Sequence, residues 1–205
     1  MLAAKAIVEL QEVRTRAWHE AREAVGERAS ANTESSWLGL VERQHRANFD
    51  LWHIEDEART PGASCEEIAD VKRRIDATNQ RRNDLAEELD RELLERLEKQ
   101  GLPNAEAPLN SESPGLMIDR LSILALKIFH TREEAERTEA PEGHAERNIQ
   151  RLAVLEEQRG DLADCLDALW RGTLAGTRRF KIYRQMKMYN DPDLNPAIYR
   201  KPATK

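Results

Sequence analysis

The chain has 205 residues, of which 34% are charged and 5% aromatic, and its formal net charge at pH 7 is −6. This composition favours a helical protein, because a sheet protein would carry more aromatic and β-branched residues. The longest uncharged apolar run, near residues 121–126, is far shorter than the roughly 20 residues of a membrane-spanning helix, so no membrane span is predicted.

The charge is distributed unevenly along the chain. Residues 177–205 contain eight Lys and Arg against two Asp, a net charge of +6, so residues 1–176 carry −12. Proteins that bind nucleic acid usually concentrate positive charge on the binding face, and nucleic acid is therefore not expected as the main partner. We expect the basic segment to dock on the acidic remainder of the chain.

Two helices are predicted in the first 60 residues. The first covers residues 2–25, and Lys5 and Glu9 within its apolar stretch argue against a secretory signal. The polar stretch ERASANTESS separates it from the second helix, which is predicted over residues 37–59 and stops before a Pro-Gly pair.

The third helix has a clear start in the sequence. Ser64 followed by Glu67 predicts a capping box, in which each side chain satisfies a backbone N–H that the helix leaves unpaired. The helix is predicted to continue to residue 100, where a glycine follows. The stretch GLPNAEAPLNSESPG then predicts a long irregular connection.

The fourth helix is predicted to begin after Ser113 as N-cap, with Pro114 in its first position, and to end near residue 137. The fifth is predicted over residues 144–189, with a break at Gly172 or Gly176. In the main interpretation the end of this segment is an amphipathic final helix with solvated cations. In the alternative interpretation this segment covers a binding site with Arg184, Lys187 or Tyr189. The last residues of the chain are expected to be irregular.

These elements predict one all-α domain over residues 1–205, an antiparallel helical bundle of about five long helices. Its core is expected at about 37–175, with an N-terminal helix at 1–26 and a basic C-terminal segment at 177–205. Cys65 and Cys165 show no metal-binding spacing, which indicates a reducing, cytoplasmic location. A homo-oligomer is left open.

The second helix changes character along one face. At 100° per residue, His45, Asn48, Trp52 and Arg59 fall within roughly 60° of one another, and the apolar side chains of the first half share that face. Glu55 and Asp56 flank the arc. The apolar face of this helix therefore becomes polar halfway along.

The third and fourth helices repeat this pattern. Polar residues lie on or beside the apolar stripe of the third helix: Lys72, Asn79, Arg82 and Asn83. The stretch LMIDRLSILALKIF of the fourth helix is apolar nearly all round, as expected for a helix surrounded by others, and Asp119 and Arg120 interrupt it. Buried charges need partners, so these two residues are expected to meet groups on other helices.

Two interpretations remain open. In the first, these side chains converge on a pocket that binds a small anionic metabolite, phosphorylated or sugar-linked, because Arg offers bidentate geometry to phosphate and carboxylate. The predicted ligand-binding residues are Asn48, Arg59, Lys72, Asn79, Arg82, Asn83, Asp119 and Arg120. His45, Glu55 and Asp56 are the predicted catalytic residues, with His45 as acid or base. In the second, the polar residues form a non-catalytic network that pairs the helices, and the protein has a structural or interaction role. The sequence does not decide whether the protein is an enzyme.

A divalent cation gives a third interpretation. Glu55, Asp56 and Asp119 could hold Mg²⁺ or Mn²⁺, as in the helical nucleotide pyrophosphatases, although the paired acidic motifs of those hydrolases are not reproduced cleanly. A ferritin-like di-metal site needs two Glu-x-x-His motifs, and only Glu42 to His45 has that spacing. No resident metal is assigned on this basis.

Three stretches together carry a family resemblance: NFDLWHIEDEAR, KRRIDATNQRRND and SPGLMIDRLSILALKI. They resemble the uncharacterised bacterial domain-of-unknown-function 4254 family, and the similarity covers most of the chain. The resemblance implies a cytoplasmic bacterial protein of similar length and brings no established activity.

Overall fold

The computed structural model describes residues 2–24, 36–186 and 193–196. Within these residues it contains five helices: α1 (Ala4–Ala24), α2 (Trp37–Glu57), α3 (Cys65–Glu98), α4 (Pro114–Glu136) and α5 (His144–Leu174). The same residues contain no strand; one isolated bridge joins Leu109 and Arg179. The predicted all-α fold class is therefore confirmed.

The helix starts follow the capping residues that the sequence contains. Ser36 accepts a hydrogen bond from the backbone N–H of Gly39 at the start of α2. Ser64 and Glu67 form the predicted capping box of α3. At α4, Ser113 is the N-cap and a proline occupies the first turn, as predicted. These local signals are strong because each satisfies a backbone donor that would otherwise lack a partner.

The predicted amphipathic final helix at the end of α5 is wrong for the described residues. The helix ends at Leu174, and Gly176 adopts a φ of +69° that other residues rarely adopt. Residues 177–186 then run without helical structure: Phe180 is buried in the core, and the Gln185 N–H donates to the Glu87 carboxylate of α3. This contact agrees with docking of the basic segment on the acidic body. Lys187 and Tyr189 lie outside the described residues.

Helix α4 is central in the molecule. It contacts each of the other four helices, while α2 packs on α3 and α1 touches α2 and α5. Its side chains Ile118, Leu121 and Leu126 are buried, which explains why its sequence is apolar nearly all round. Polar groups on α4 are therefore held against several helices at once.

Two other findings bear on the sequence predictions. None of the helices in the described part of the chain is long and apolar enough to cross a bilayer. Cys65 and Cys165 are exposed and form no disulfide.

Candidate functional site

A cleft of about 370 Å³ opens between α2, α3 and α4. We refer to it as the α2–α4 cleft. Its lining combines hydrophobic and polar side chains: Asn48, Leu51, Trp52, Glu55, Asp56, Arg59, Arg82, Ile123 and Leu126. The volume falls within the range of small-molecule sites, about 300–1,000 Å³. Five of its polar residues were predicted from the sequence: Asn48, Glu55, Asp56, Arg59 and Arg82.

The second half of α2 supplies most of this lining. Asn48, Trp52, Glu55 and Arg59 follow one another at intervals of three or four residues, the spacing that places side chains on one helix face. In the first half of α2 the core is formed by Leu40 and Val41. The change from apolar to polar that the sequence shows thus corresponds to the point where the cleft begins.

Asp119 of α4 lies beneath the cleft and is only 6% exposed. Its carboxylate accepts hydrogen bonds from Gln44 Nε2 at 2.6 Å and from Asn48 Nδ2 at 2.9 Å. Arg82 of α3 donates through Nε to Oδ1 and through Nη2 to Oδ2, each at 2.9 Å. These four hydrogen bonds compensate the charge of the buried Asp119 carboxylate. Through them this one group joins α2, α3 and α4.

The contact with Asp119 holds the guanidinium of Arg82 but uses only part of its hydrogen-bonding capacity. Nε and Nη2 are used by Asp119, and Nη1 makes no hydrogen bond with any described residue. Because Arg82 lines the cleft, Nη1 is a positioned donor for an acceptor that enters the cleft.

The other charged groups of the cleft are more exposed. Arg59 Nη2 lies 3.3 Å from a carboxylate oxygen of Glu55, and the Arg59 side chain is 68% exposed. Asp56 is exposed and makes no ion pair with a described residue. The cleft therefore offers two guanidinium groups and two carboxylates to a ligand, with a third carboxylate, that of Asp119, beneath them.

His45 does not line the cleft. It is fully buried, with Nδ1 2.7 Å from Ser122 Oγ and Nε2 2.9 Å from Thr15 Oγ1. The Thr15 hydroxyl donates to the backbone carbonyl of Gln11, so Nε2 carries the proton and donates to Thr15. Nδ1 then accepts from Ser122, whose oxygen accepts from the Asn48 amide.

Burial explains the protonation state of this histidine. Removal from water lowers the pKa of His45 to about 3, since the imidazolium would lose its hydration without gaining an anionic partner. A neutral ring with both nitrogens engaged couples α1, α2 and α4. The geometry therefore makes His45 part of a network of polar side chains that pair the helices. Neither of its ring nitrogens faces the cleft, so the geometry does not support its predicted role as acid or base.

Besides Asp119, which lies beneath the cleft, four predicted ligand-binding residues are not part of its lining. Lys72 is exposed and pairs with Asp76. Arg120 is exposed on another face of α4, where its Nη1 donates to Glu112 at 2.9 Å. Asn79 and Asn83 are half-buried on α3, and the structure places neither in the cleft lining.

Several residues of the site were missed or interpreted differently. Trp52, which was placed on the polar arc of the second helix but not assigned to the site, is half-buried, lines the cleft and stacks on His130 with ring centroids 4.8 Å apart. Gln44 was not assigned to the site. Its position four residues before Asn48, on the same helix face, was the signal available in the sequence.

The divalent-cation interpretation gains no support from the described residues. Among them, no group of three or more His, Cys, Asp or Glu side chains is placed to hold a metal ion. Glu55, Asp56 and Asp119 do not form the predicted carboxylate site: Asp119 is bound to Arg82 and two amides, and Glu55 is paired with Arg59.

Comparison with known proteins gives a family and no activity. The family model described as a protein of unknown function, DUF4254, matches residues 38–182. No curated protein and no solved structure matches the chain. The matched range includes α3 to α5, all of α2 except its first residue, and every residue that lines the α2–α4 cleft. The chain therefore belongs to the DUF4254 family of proteins of unknown function.

Proposed function

We propose that the α2–α4 cleft binds a small anionic metabolite that is phosphorylated or sugar-linked. The observation that carries this proposal is the state of Arg82, which lines the cleft, is fixed by two hydrogen bonds to Asp119 and keeps Nη1 without a described acceptor. A guanidinium held in place before binding loses little conformational freedom when a phosphate or carboxylate arrives.

The acidic residues of the cleft restrict the class of ligand. A bare anion would be repelled by Glu55 and Asp56, which share the lining with Arg59 and Arg82. A sugar phosphate or sugar acid avoids this conflict, because its hydroxyl groups donate to the carboxylates while its anionic group meets the guanidiniums. Trp52 adds an apolar surface against which the face of a sugar ring can pack.

The amide of Asn48 offers the ligand a hydrogen-bond acceptor. Its Nδ2 atom already donates to Asp119 and Ser122, each at 2.9 Å. The remaining polar atom, Oδ1, is an acceptor, which again suits a ligand hydroxyl. Any proton transfer to a bound ligand would fall to Glu55 and Asp56, because these carboxylates line the cleft and His45 does not.

A second candidate is a non-catalytic interaction protein whose polar residues only pair helices. The favouring observation is that Asp119, His45 and Gln44 are buried and bonded to groups of the protein itself. Such a network fixes how helices align without any ligand. This candidate predicts that no small molecule stabilises the fold.

Thermal-shift screening of the full chain tests the two candidates. The compounds are sugar phosphates, sugar acids, nucleotides and inorganic phosphate, each with and without Mg²⁺. A ligand that binds the folded state raises the melting temperature as its concentration exceeds Kd. If no compound raises the melting temperature, the binding proposal fails and the interaction protein remains.

Two variants then place the binding in the cleft. Arg59→Ala removes a cation from the lining and is expected to weaken binding about tenfold, the loss of one charge-assisted hydrogen bond. The matched control is Arg73→Ala on α3, since Arg73 pairs with Asp70 at the same 3.3 Å and is 71% exposed, and it does not line the cleft. Equal weakening by both variants in titration calorimetry would assign the binding to general surface charge.

A further inference from the structure

A second cleft, with a volume of about 590 Å³, lies beside the first on an adjacent face of α4. We refer to it as the α4–α5 cleft. It is lined by residues of α4, α5 and the connection before α4: Glu112, Met117, Arg120, Ile123, Leu124, Lys127, Gln158, Asp161, Leu162 and Cys165. Its lining combines apolar side chains of α4 and α5 with charged and amide groups of the same helices.

The two clefts meet at Ile123, which lines both. On α4, Asp119 lies about 40° to one side of Ile123 and about 6 Å toward the start of the helix, and Lys127 lies about 40° to the other side and about 6 Å toward its end. Asp119 holds Arg82 in the α2–α4 cleft, and Lys127 lines the α4–α5 cleft. The boundary between the clefts therefore has a cation on each side of one apolar side chain.

Lys127 is the uncommitted cation of the α4–α5 cleft. The charge of Arg120 is paired by Glu112, with both carboxylate oxygens 2.9 Å from Nη1. Lys127 is exposed and makes no ion pair or hydrogen bond with a described residue. On the other side of Ile123, Arg82 Nη1 is likewise without a described acceptor. Two available donors that flank one position favour a ligand with its anionic centre in the middle.

We propose that the two clefts bind one ligand in two parts, a nucleoside diphosphate sugar, with the diphosphate over Ile123 between Arg82 and Lys127. The sugar occupies the α2–α4 cleft and the nucleoside the larger α4–α5 cleft. This inference rests on the proposed function of the α2–α4 cleft and names its substrate class.

The lining of each cleft suits the part assigned to it. The α2–α4 cleft has carboxylates for hydroxyl groups and the indole of Trp52 for a ring face. The α4–α5 cleft has the apolar side chains Leu124 and Leu162 for the flat surface of a base. Gln158 and Asp161 there can hydrogen-bond its polar edge or the ribose hydroxyls. Both volumes lie within the range of about 300–1,000 Å³ for small-molecule sites.

Titration calorimetry of the full chain compares the whole ligand with its parts. The probes are glucose 1-phosphate, the four nucleoside monophosphates, and the four corresponding nucleoside diphosphate glucoses. Because linking two binding groups makes the second contact intramolecular, one linked compound is expected to bind at least about 100-fold more tightly than either of its parts. Binding of all four linked compounds no more tightly than their parts would overturn the inference.

Variants assign each part to its cleft. Lys127→Ala is expected to weaken the linked compound and the nucleoside monophosphate about tenfold and to leave glucose 1-phosphate unchanged. Arg59→Ala is expected to weaken the linked compound and glucose 1-phosphate and to leave the monophosphate unchanged. The matched control is Lys5→Ala, an 87% exposed lysine of α1 outside both clefts.

The outcomes separate this inference from the proposed function. If glucose 1-phosphate binds in an Arg59-dependent way and the linked compounds gain nothing, the proposed function stands and the two-part ligand is rejected. The two-part ligand is also rejected if Lys127→Ala has no more effect than Lys5→Ala on binding of the linked compound. If none of the probes binds, the two-part ligand is rejected, and the thermal-shift screen with sugar acids and other sugar phosphates decides the proposed function separately.

Discussion

Replacement of Arg82 by Met tests whether Asp119 depends on its ion pair. The change keeps a long, mostly apolar side chain on α3 and removes the guanidinium that donates twice to the Asp119 carboxylate. Gln44 and Asn48 still donate to Oδ1. The carboxylate, only 6% exposed, is then left without its cationic partner.

The magnitude follows from burial. Breaking a buried ion pair by removing one partner costs about 3–5 kcal/mol, because the other charge stays out of water. The Arg82 side chain is 24% exposed, so water can reach the vacated space, and two amides remain as donors. We therefore expect a loss at the lower end of this range, about 3 kcal/mol in the free energy of unfolding, or a fall of about 6–12 °C in Tm.

A second substitution makes the test sharper. In the native chain Asp119→Asn places an amide donor against Arg82 Nη2 and is expected to destabilise by about 1–2 kcal/mol. In the Arg82→Met background the same change removes an unpaired buried charge and is expected to stabilise by about 1 kcal/mol. The coupling between the two positions is then about 2–3 kcal/mol.

Urea unfolding followed by circular dichroism at 222 nm measures all four proteins of this cycle. The slopes of the transitions must agree, so that midpoints report stability alone. The reasoning is refuted if Arg82→Met costs less than about 1 kcal/mol, or if Asp119→Asn destabilises both backgrounds equally, because either result means that the Asp119 charge is solvated without Arg82.

Three further predictions concern groups outside the cleft lining. The pKa of His45 is held at about 3 against 6.5 in the unfolded chain, so the unfolded state takes up the proton first. The stability of the native chain relative to His45→Gln is therefore expected to fall by about 1.4 kcal/mol per pH unit below pH 6.5, in urea titrations at pH 7, 6 and 5. For Asp90, burial raises the pKa from 3.8 to about 6. The stability that the native state gains from this shift is fully present below pH 3.8, where the carboxyl is protonated, and is lost as pH rises through 6. The stability of the native chain relative to Asp90→Asn is therefore expected to drop by about 2.5 kcal/mol between pH 4 and pH 7, and a constant difference would contradict this. Gly115→Ala would place its Cβ 2.2 Å from the backbone oxygen of Ala86 on α3, so thermal unfolding should show a loss of about 3 kcal/mol. The control Gly160→Ala, whose Cβ meets nothing within 4 Å, should be neutral or stabilising by up to about 1 kcal/mol.

The helices could be predicted from the sequence because their signals are local. The capping box at Ser64 and the N-cap at Ser113 each depend on residues within one turn, and the structure confirms both. The end of α5 was harder to predict. The apolar residues after Gly176 fit an amphipathic helix in the sequence, but Phe180 packs into the core from an extended segment instead. Burial of that ring in the tertiary structure outweighs the helical pattern.

The site could be predicted where it depends on one helix. Asn48, Glu55 and Asp56 reach one cleft because the geometry of α2 alone places them near one another, and Arg59 joins them from the turn that follows the helix. The alignment of α3 against α4 was not predictable. Lys72 lies ten residues before Arg82, about 15 Å along the helix axis, and only Arg82 is level with Asp119.

By itself the sequence determined the five helices, where they begin and which faces carry the polar residues, but not where α5 ends. The features that it determined follow from the backbone periodicity and from capping within a few residues. Only the tertiary structure decided which polar groups reach solvent and which bind one another. His45 and Asn48 share one face of α2, but His45 is enclosed by Thr15 and Ser122, whereas Asn48 lines the cleft. The difference comes from the packing of α1 and α4 around α2, and long-range packing of this kind leaves no signature within a single helix.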